Sequence, residues 1–294
     1  MKSGFLVIDK EPGFTSHDVV AIARKSLGER RVGHAGTLDP FATGVLVLGV
    51  GNGTRLLQYI TDGRKKYDAT IRLGTATTTD DLTGDVVSEN FADLSALSDD
   101  TIIESLHSQV GEIYQRPSSY SAIKVDGKRA YELARSGAAV ELKERRVSVY
   151  ELMVNQITRH DQAIDVKISV ECSAGTYIRS IARDLGAALK VGGHLIALRR
   201  TAVMPFTLAE AISIDALKAA PDLLSIDAMI SRIFPRRNLT SEEVASVSHG
   251  RSVELIAQSQ GTSAAFTPEG RFIALLAEKG GRAQPILVIS RIEQ

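Results

Sequence analysis

Residues 33–46, GHAGTLDPFATGVL, place a histidine and a carboxylate five positions apart in a glycine-rich loop that closes on an Asp-Pro step. Gly33, Gly36 and Gly44 let such a loop bring its backbone close to a ligand. An ionised Asp39 on a shaped loop can act as a nucleophile or a base. Taken alone, the stretch also fits an ordinary Asp-Pro turn with one incidental histidine. The apolar run from Val45 to Gly51 reads as the strand that anchors it.

The other possible chemistries are poorly served. Cys172 is the single cysteine, so neither an internal disulfide nor a Cys-cluster metal site is expected, and it lies in the alternating strand pattern IDVKISVEC. No G-x-S-x-G nucleophile elbow and no Walker-type G-K-[ST] occurs. The start, MKSGFLVIDKEPG, turns polar after four apolar residues, too soon for a signal peptide, and no apolar run reaches the ~20 residues of a membrane helix. A cytoplasmic protein is expected.

The 294 residues carry 35 basic and 35 acidic side chains, and the zero balance hides a strong segregation. Residues 1–75 hold 11 Lys/Arg against 7 Asp/Glu, and residues 113–200 hold 15 against 9. Residues 76–112 hold 9 acids and no Lys or Arg, while 201–294 hold 9 bases against 10 acids. One acidic insert thus masks two basic segments, a pattern that fits a basic face as well as a merely solvated surface.

Elements must hold these residues in place. Strands are expected at Phe5–Asp9, Val45–Gly51, Tyr67–Leu73, Val147–Val154, Ile164–Cys172 and HLIALRRTAV from His194. Ser16 is positioned to cap a helix with Val19, Val20, Ala23 and Leu27 on one side, ended by Gly28. Thr54 is expected to cap TRLLQYIT, and Ser98 a helix striped with Ile102, Ile103, Leu106 and Val110. The acidic segment 76–112 reads as peripheral structure. AYELARSG reads as a short helix stopped by Gly137, GTYIRSIARDLGAAL as a helix opening on a glycine loop, and Pro221–Ile233 as helical. FPRRN, 234–238, is the best linker candidate, ahead of a capped helix at LTSEEVASVSHG and four short strands.

Six stretches together resemble the TruB family of pseudouridine synthases. GHAGTLDPFATGVL matches the family's Asp-bearing signature at every defined position. DKEPGFTS resembles its N-terminal motif with Glu11 in place of a proline, and Lys66-Tyr67 its K-x-Y strand. QRPSSYSAIKVDGKRAYELARSG resembles a third motif, with Ser118 replacing a proline. GTYIRSIARDLG and HLIALRR complete the series. The matches run in order from residue 9 to about 200.

The resemblance implies an α+β fold: a mixed, largely antiparallel sheet with flanking helices over residues 1–235, with a basic loop at 115–137. A small PUA-like β domain for RNA binding would follow over 236–294. It also implies isomerisation of a tRNA T-loop uridine, position 55, to pseudouridine by a monomeric enzyme. The partner is the T arm, with no cofactor, metal or membrane. Asp39 would be catalytic, kept ionised by Arg179 against the effect of burial. Tyr67 would stack on the flipped base and stand near the proton leaving carbon 5. Tyr177 and Leu198 would line the pocket, and His34 would take the flipped base's place. Lys10, Lys124, Lys128 and Arg129 would contact phosphates. Each of the pocket residues alone would pass for core, and each cation for solvated surface. Two RNA-related alternatives are the catalytic subunit of a guide-RNA particle and a non-catalytic RNA-binding module. A phosphate-binding hydrolase is the third.

Overall fold

The computed structural model describes residues 2–91, 94–120, 124–125, 128–130, 142–256 and 261–289. Strands are numbered in chain order: β1 (Gly4–Lys10), β2 (Val32–Ala35), β3 (Thr43–Val50), β4 (Lys65–Leu73), β5 (Thr75–Thr77) and β6 (Val86–Glu89). There follow β7 (Gly111–Gln115), β8 (Lys124–Val125), β9 (Lys128–Arg129), β10 (Arg145–His160), β11 (Ala163–Cys172), β12 (Gly193–Val203) and β13 (Phe206–Thr207). The tail carries β14 (Arg236–Asn238), β15 (Val253–Glu254), β16 (Thr262–Phe266), β17 (Phe272–Lys279) and β18 (Arg282–Val288).

The main sheet runs β1-β3-β12-β4-β11-β10-β7, with β2 added on β3 and β13 on β12. Its pairings are antiparallel except β3 with β12, which run parallel through Arg199↔Thr43 and Arg200↔Gly44. Helices flank this sheet, and the whole is an α+β fold with a second, five-stranded sheet in order β14-β16-β17-β18-β15.

Period-two alternation decides which face each residue serves. In β1 and β3, Leu6, Ile8, Leu46 and Leu48 turn to one core, shared with Val19 and Ala23 of the first helix and with Ile181 and Leu185 of the Ile178–Ala188 helix. Phe5, Val7, Val45 and Val47 turn to the opposite core, which they share with Phe266, Phe272 and Leu275 of the tail sheet. The tail therefore packs apolar side chains directly on the back of the main sheet. Arg55 Nη1 also donates to Val288 O at 2.6 Å across the junction.

Several local expectations need correction. The first helix is capped by Thr15, in a capping box with Asp18, not by Ser16; the Ser16 hydroxyl instead crosses to Leu38. Thr54 lies inside a 3-10 turn, Gly51–Leu56, and the α-helix after it is Leu57–Thr61. Pro221–Ile233 holds one short helix, Ile226–Ile230, capped by Ser225. FPRRN is not a free linker: Arg236–Asn238 is a strand of the tail sheet, and buried Arg237 pairs with Glu243 at 2.7 Å. The helices at Asp99–His107 and Ser241–Ser248 carry Ser98 and Thr240 as caps. From Tyr131 on, AYELARSG lies outside the described residues.

Candidate active site

The Asp39 loop bridges β2 and β3, which are themselves paired through His34↔Leu48, so both ends of the loop are fixed by one hairpin-like ladder. Gly44 leaves it with φ +100°, where a Cβ would stand 2.2 Å from the Arg200 carbonyl oxygen; only glycine fits. The N-terminal turn braces the loop from one side. Ser16 Oγ accepts from Leu38 N–H at 2.9 Å, and Gly13 N–H donates to Pro40 O at 2.9 Å. Beneath it, the Arg200 guanidinium donates to Gly36 O (3.1 Å) and Thr37 O (3.3 Å), and through Nε to Val45 O (2.7 Å).

Arg179, in the first turn of the Ile178–Ala188 helix, meets Asp39 with two parallel contacts: Nε to Oδ2 at 3.0 Å and Nη2 to Oδ1 at 3.2 Å. The arginine side chain is 5% exposed and the aspartate 32%, so the cation forms the floor and the carboxylate faces outward. The remaining guanidinium donors are also occupied. Nη2 donates to Tyr120 O at 2.9 Å, and Nη1 to Thr79 O at 2.9 Å, to Asp81 Oδ2 at 3.3 Å and to Ser118 Oγ at 3.4 Å. Burial pushes the Asp39 carboxyl above the ordinary carboxylate range; Arg179 pulls it back, and the nearby Asp81 charge adds to the upward push. The arrangement is a carboxylate whose ionisation burial opposes and which Arg179 favours ahead of Lys10 and Arg200.

Asp81 is itself built in. It is 5% exposed, and its Oδ1 accepts from Thr79 Oγ1 (2.7 Å), Thr83 N–H (2.9 Å) and Thr83 Oγ1 (2.6 Å). The start of the acidic segment is thus part of the site, which corrects its reading as peripheral. Gln115 fixes the entry to the arginine helix, since its side chain accepts from Tyr177 N–H at 2.8 Å and donates to Tyr177 O at 3.0 Å.

Tyr67 and Leu198 lie on the adjacent strands β4 and β12, both buried and in one core cluster; Leu198 stands opposite Ala69, and Tyr67 opposite Arg200. Burial raises the Tyr67 phenol above its usual value, against the pull of Arg200. Tyr177 is half-buried at the N-cap of the Ile178–Ala188 helix. His34 is half-buried and packs edge-on against His17 at 5.5 Å. Burial and the neighbouring His17 hold it below the usual imidazole value, hence neutral at pH 7, and its buried Nδ1 lacks a hydrogen-bond partner.

Lys10 departs from the phosphate-contact expectation. It is fully buried, and its ammonium is spent on Phe14 O (2.7 Å), Glu11 O (3.0 Å) and Pro40 O (3.3 Å). Burial lowers it to about 8. It ties the N-terminal turn to the Asp39 loop and has no free donor for a phosphate. Lys124 and Arg129 face each other in the β8–β9 ribbon, with Lys128 beside them; their side chains lie outside the described residues. Among the described residues, no cluster of His, Cys, Asp or Glu is placed to hold a metal, and no helix is long and apolar enough to cross a membrane.

Sequence reasoning missed Asp81, Thr79, Gln115 and Arg200. The Thr-Thr-Thr-Asp-Asp-Leu-Thr-Gly run had a usable signal, since threonines around an aspartate before glycine favour a turn that folds on its own carboxylate. Ser118 stood out only as a departure from a motif, yet its hydroxyl faces Arg179 and donates to Thr79 O at 3.2 Å.

Comparison with known proteins gives the same direction. Residues 24–178 match the model of the TruB family pseudouridylate synthase N-terminal domain. Residues 179–229 match the tRNA pseudouridylate synthase B C-terminal domain, and residues 234–290 the C-terminal model of tRNA pseudouridine synthase II. The chain is 51% identical to tRNA pseudouridine synthase B of Rhodococcus jostii, over 98% of this chain and 94% of that protein. It is 50% identical to the Corynebacterium efficiens protein of the same name, over 97% and 96%. In structure it is similar to an H/ACA RNP bound to a substrate RNA containing 2'-deoxyuridine, with a TM-score of 0.71, 26% identity, and coverage of 98% of this chain and 86% of that one. With the signature motif, the fold and these relatives in agreement, this chain belongs to the TruB family of pseudouridine synthases.

Proposed function

We propose that this protein converts uridine 55 in the T loop of tRNA to pseudouridine in the cytoplasm, as a monomer, with Asp39 as the catalytic group. The observation that carries this reading is the two-contact pair of Asp39 with buried Arg179, which favours an ionised carboxylate in a setting that otherwise opposes it. The near-full-length identity to proteins named tRNA pseudouridine synthase B supports tRNA as the substrate.

The reaction is an isomerisation. The bond between N1 and the ribose breaks, the base turns, carbon 5 joins the ribose carbon, and the proton on carbon 5 leaves as N1 gains one. Asp39 serves as nucleophile or base in this sequence, and no electron or external water is consumed. A stacked uridine is out of reach of Asp39, so the base flips out, at a cost of a few kcal/mol. Stacking on Tyr67 recovers about 1–3 kcal/mol. Leu198 on the neighbouring strand and Tyr177 at the helix entry complete the pocket wall. Neutral His34, on the strand that leads into the Asp39 loop, fills the space that the base leaves in the RNA. The β8–β9 ribbon, with Lys124, Lys128 and Arg129, supplies phosphate contacts, and the tail acts as a PUA-like RNA-binding unit. The test is primer extension on carbodiimide-treated tRNA after incubation with the protein. A single new stop at the T-loop uridine is expected; a stop elsewhere, or none, rejects the assignment.

A further inference from the structure

The His34 ring has no polar anchor at its inner edge, since Nδ1 is buried and without a hydrogen-bond partner. Its backbone is fixed, because His34 stands opposite Leu48 in the β2–β3 ladder. A fixed backbone still leaves the side-chain torsions free, and the ring torsion of histidine is broad. Packing must therefore set the direction in which this ring points. Among the described residues one ring packs on it, that of His17, with centroids 5.5 Å apart and planes at 79°. An edge-to-face pair at this distance is attractive, and it fixes an angle as well as a contact.

His17 is itself held firmly. It stands in the first turn of the Ser16–Leu27 helix, between two locked neighbours. On one side Ser16 Oγ accepts from Leu38 N–H at 2.9 Å and reaches Leu38 O at 3.3 Å, which docks the turn on the Asp39 loop. On the other, Asp18 Oδ2 accepts from Thr15 N–H at 2.8 Å and from Thr15 Oγ1 at 2.7 Å, and Thr15 Oγ1 accepts from Asp18 N–H at 3.1 Å. His17 is exposed and His34 half-buried, so an outer imidazole backs an inner one. Helix propensity gives histidine no advantage at an exposed position, so the ring contact is what this residue type adds there.

We infer that His17 is a positioning residue for pseudouridine formation: its ring fixes the orientation in which His34 enters the RNA as the target base leaves the stack. This rests on the proposed function, in which His34 fills the vacated space. His17 acts through His34, not on the base or on Asp39. The flipped state competes with restacking of the base, so a loosened His34 ring lowers the share of productive complexes.

The test uses the full chain as wild type, H17A, H17F, H17N, H34A and H17A/H34A. Single-turnover pseudouridine formation at saturating tRNA, tRNA affinity by filter binding, and Tm are measured for each. H17A is expected to slow the reaction roughly 3- to 10-fold, with affinity changed less than about twofold and Tm little changed. H17F keeps a ring and should restore the rate to within about twofold of wild type, whereas H17N keeps a polar group without a ring and should not. In the H34A background the H17A change should alter the rate by less than about twofold, because its effect passes through His34. Rescue by H17N in place of H17F, equal losses in both backgrounds, or a loss confined to affinity overturns the inference and makes His17 a separate RNA contact. If H34A has no measurable rate, NMR of histidine-labelled protein bound to tRNA decides. The His34 ring signal must then split or broaden in H17A, and a single unchanged signal overturns the inference. H34A at the wild-type rate overturns it together with the role given to His34. Wild type that forms no pseudouridine rejects the proposed function, and the inference falls with it.

Discussion

Replacing Asp81 by asparagine is a near-isosteric change that removes one charge behind the Asp39–Arg179 pair. The Oδ1 interactions with Thr79 and Thr83 can survive, since an amide oxygen accepts the same bonds. The amide nitrogen then replaces Oδ2 and meets Arg179 Nη1, 3.3 Å away, donor against donor. At an effective dielectric near 20, the lost attraction over such a distance is on the order of 4–5 kcal/mol. Arg179 keeps Asp39, Thr79 O and Tyr120 O, so the expected net cost is about 2–3 kcal/mol, below the ~3–5 kcal/mol of an arginine stripped of its only partner. Losing the Asp81 charge also relieves its upward push on the Asp39 carboxyl, which offsets part of this cost, so single-turnover pseudouridine formation slows roughly 10-fold. RNA affinity should hold within about twofold, because Asp81 is buried beneath the proposed binding surface. A D81N protein with wild-type turnover and an unchanged Tm would refute the reasoning that Asp81 supports Arg179.

Three further outcomes follow from other parts of the structure. Asp39 must be ionised, and burial raises it, so activity should be lost as pH falls through a value above the ordinary 3.8; an acid limb of kcat/KM below that value would contradict the buried geometry. K10Q should lower stability by about 2–4 kcal/mol, because Lys10 braces two loops through buried carbonyl contacts, and should leave the salt dependence of tRNA binding unchanged. A salt slope reduced by about one would show a phosphate contact instead. F266A should cost about 3–5 kcal/mol in chemical unfolding of the whole chain, since Phe266 packs against the main sheet; an early, separate transition of the tail with the main transition unmoved would show that the junction is not shared core.

The sequence made the carboxylate and its arginine legible because they sit in ordered, specific motifs, and made the strands legible because apolar residues alternate along them. Val147–Val154 and Ile164–Cys172 pair as antiparallel neighbours within the longer β10 and β11, and His194–Val203 forms most of β12. What stayed hidden shares a physical cause. A charged side chain looks solvated until its partner is known, and Asp81 meets Arg179 from 98 residues away. Lys10 passed for a phosphate contact because its acceptors are backbone carbonyls, which leave no mark in composition. Arg200 followed a leucine singled out for the base pocket, and a buried arginine on carbonyl oxygens has no pattern of its own. Ser16 and Thr15 are equally good caps by type. The choice fell to Thr15 because the Ser16 hydroxyl was needed at Leu38.

Asp39 is the one carboxylate on which the proposed isomerisation rests. The most direct test is tritium release from tRNA labelled at uridine carbon 5, with wild type and D39N compared at matched, saturating RNA binding. Release of one tritium per T-loop uridine by wild type, with none from D39N, is the predicted result. Release by D39N at the wild-type rate, or none from a wild type that binds the tRNA, would contradict it.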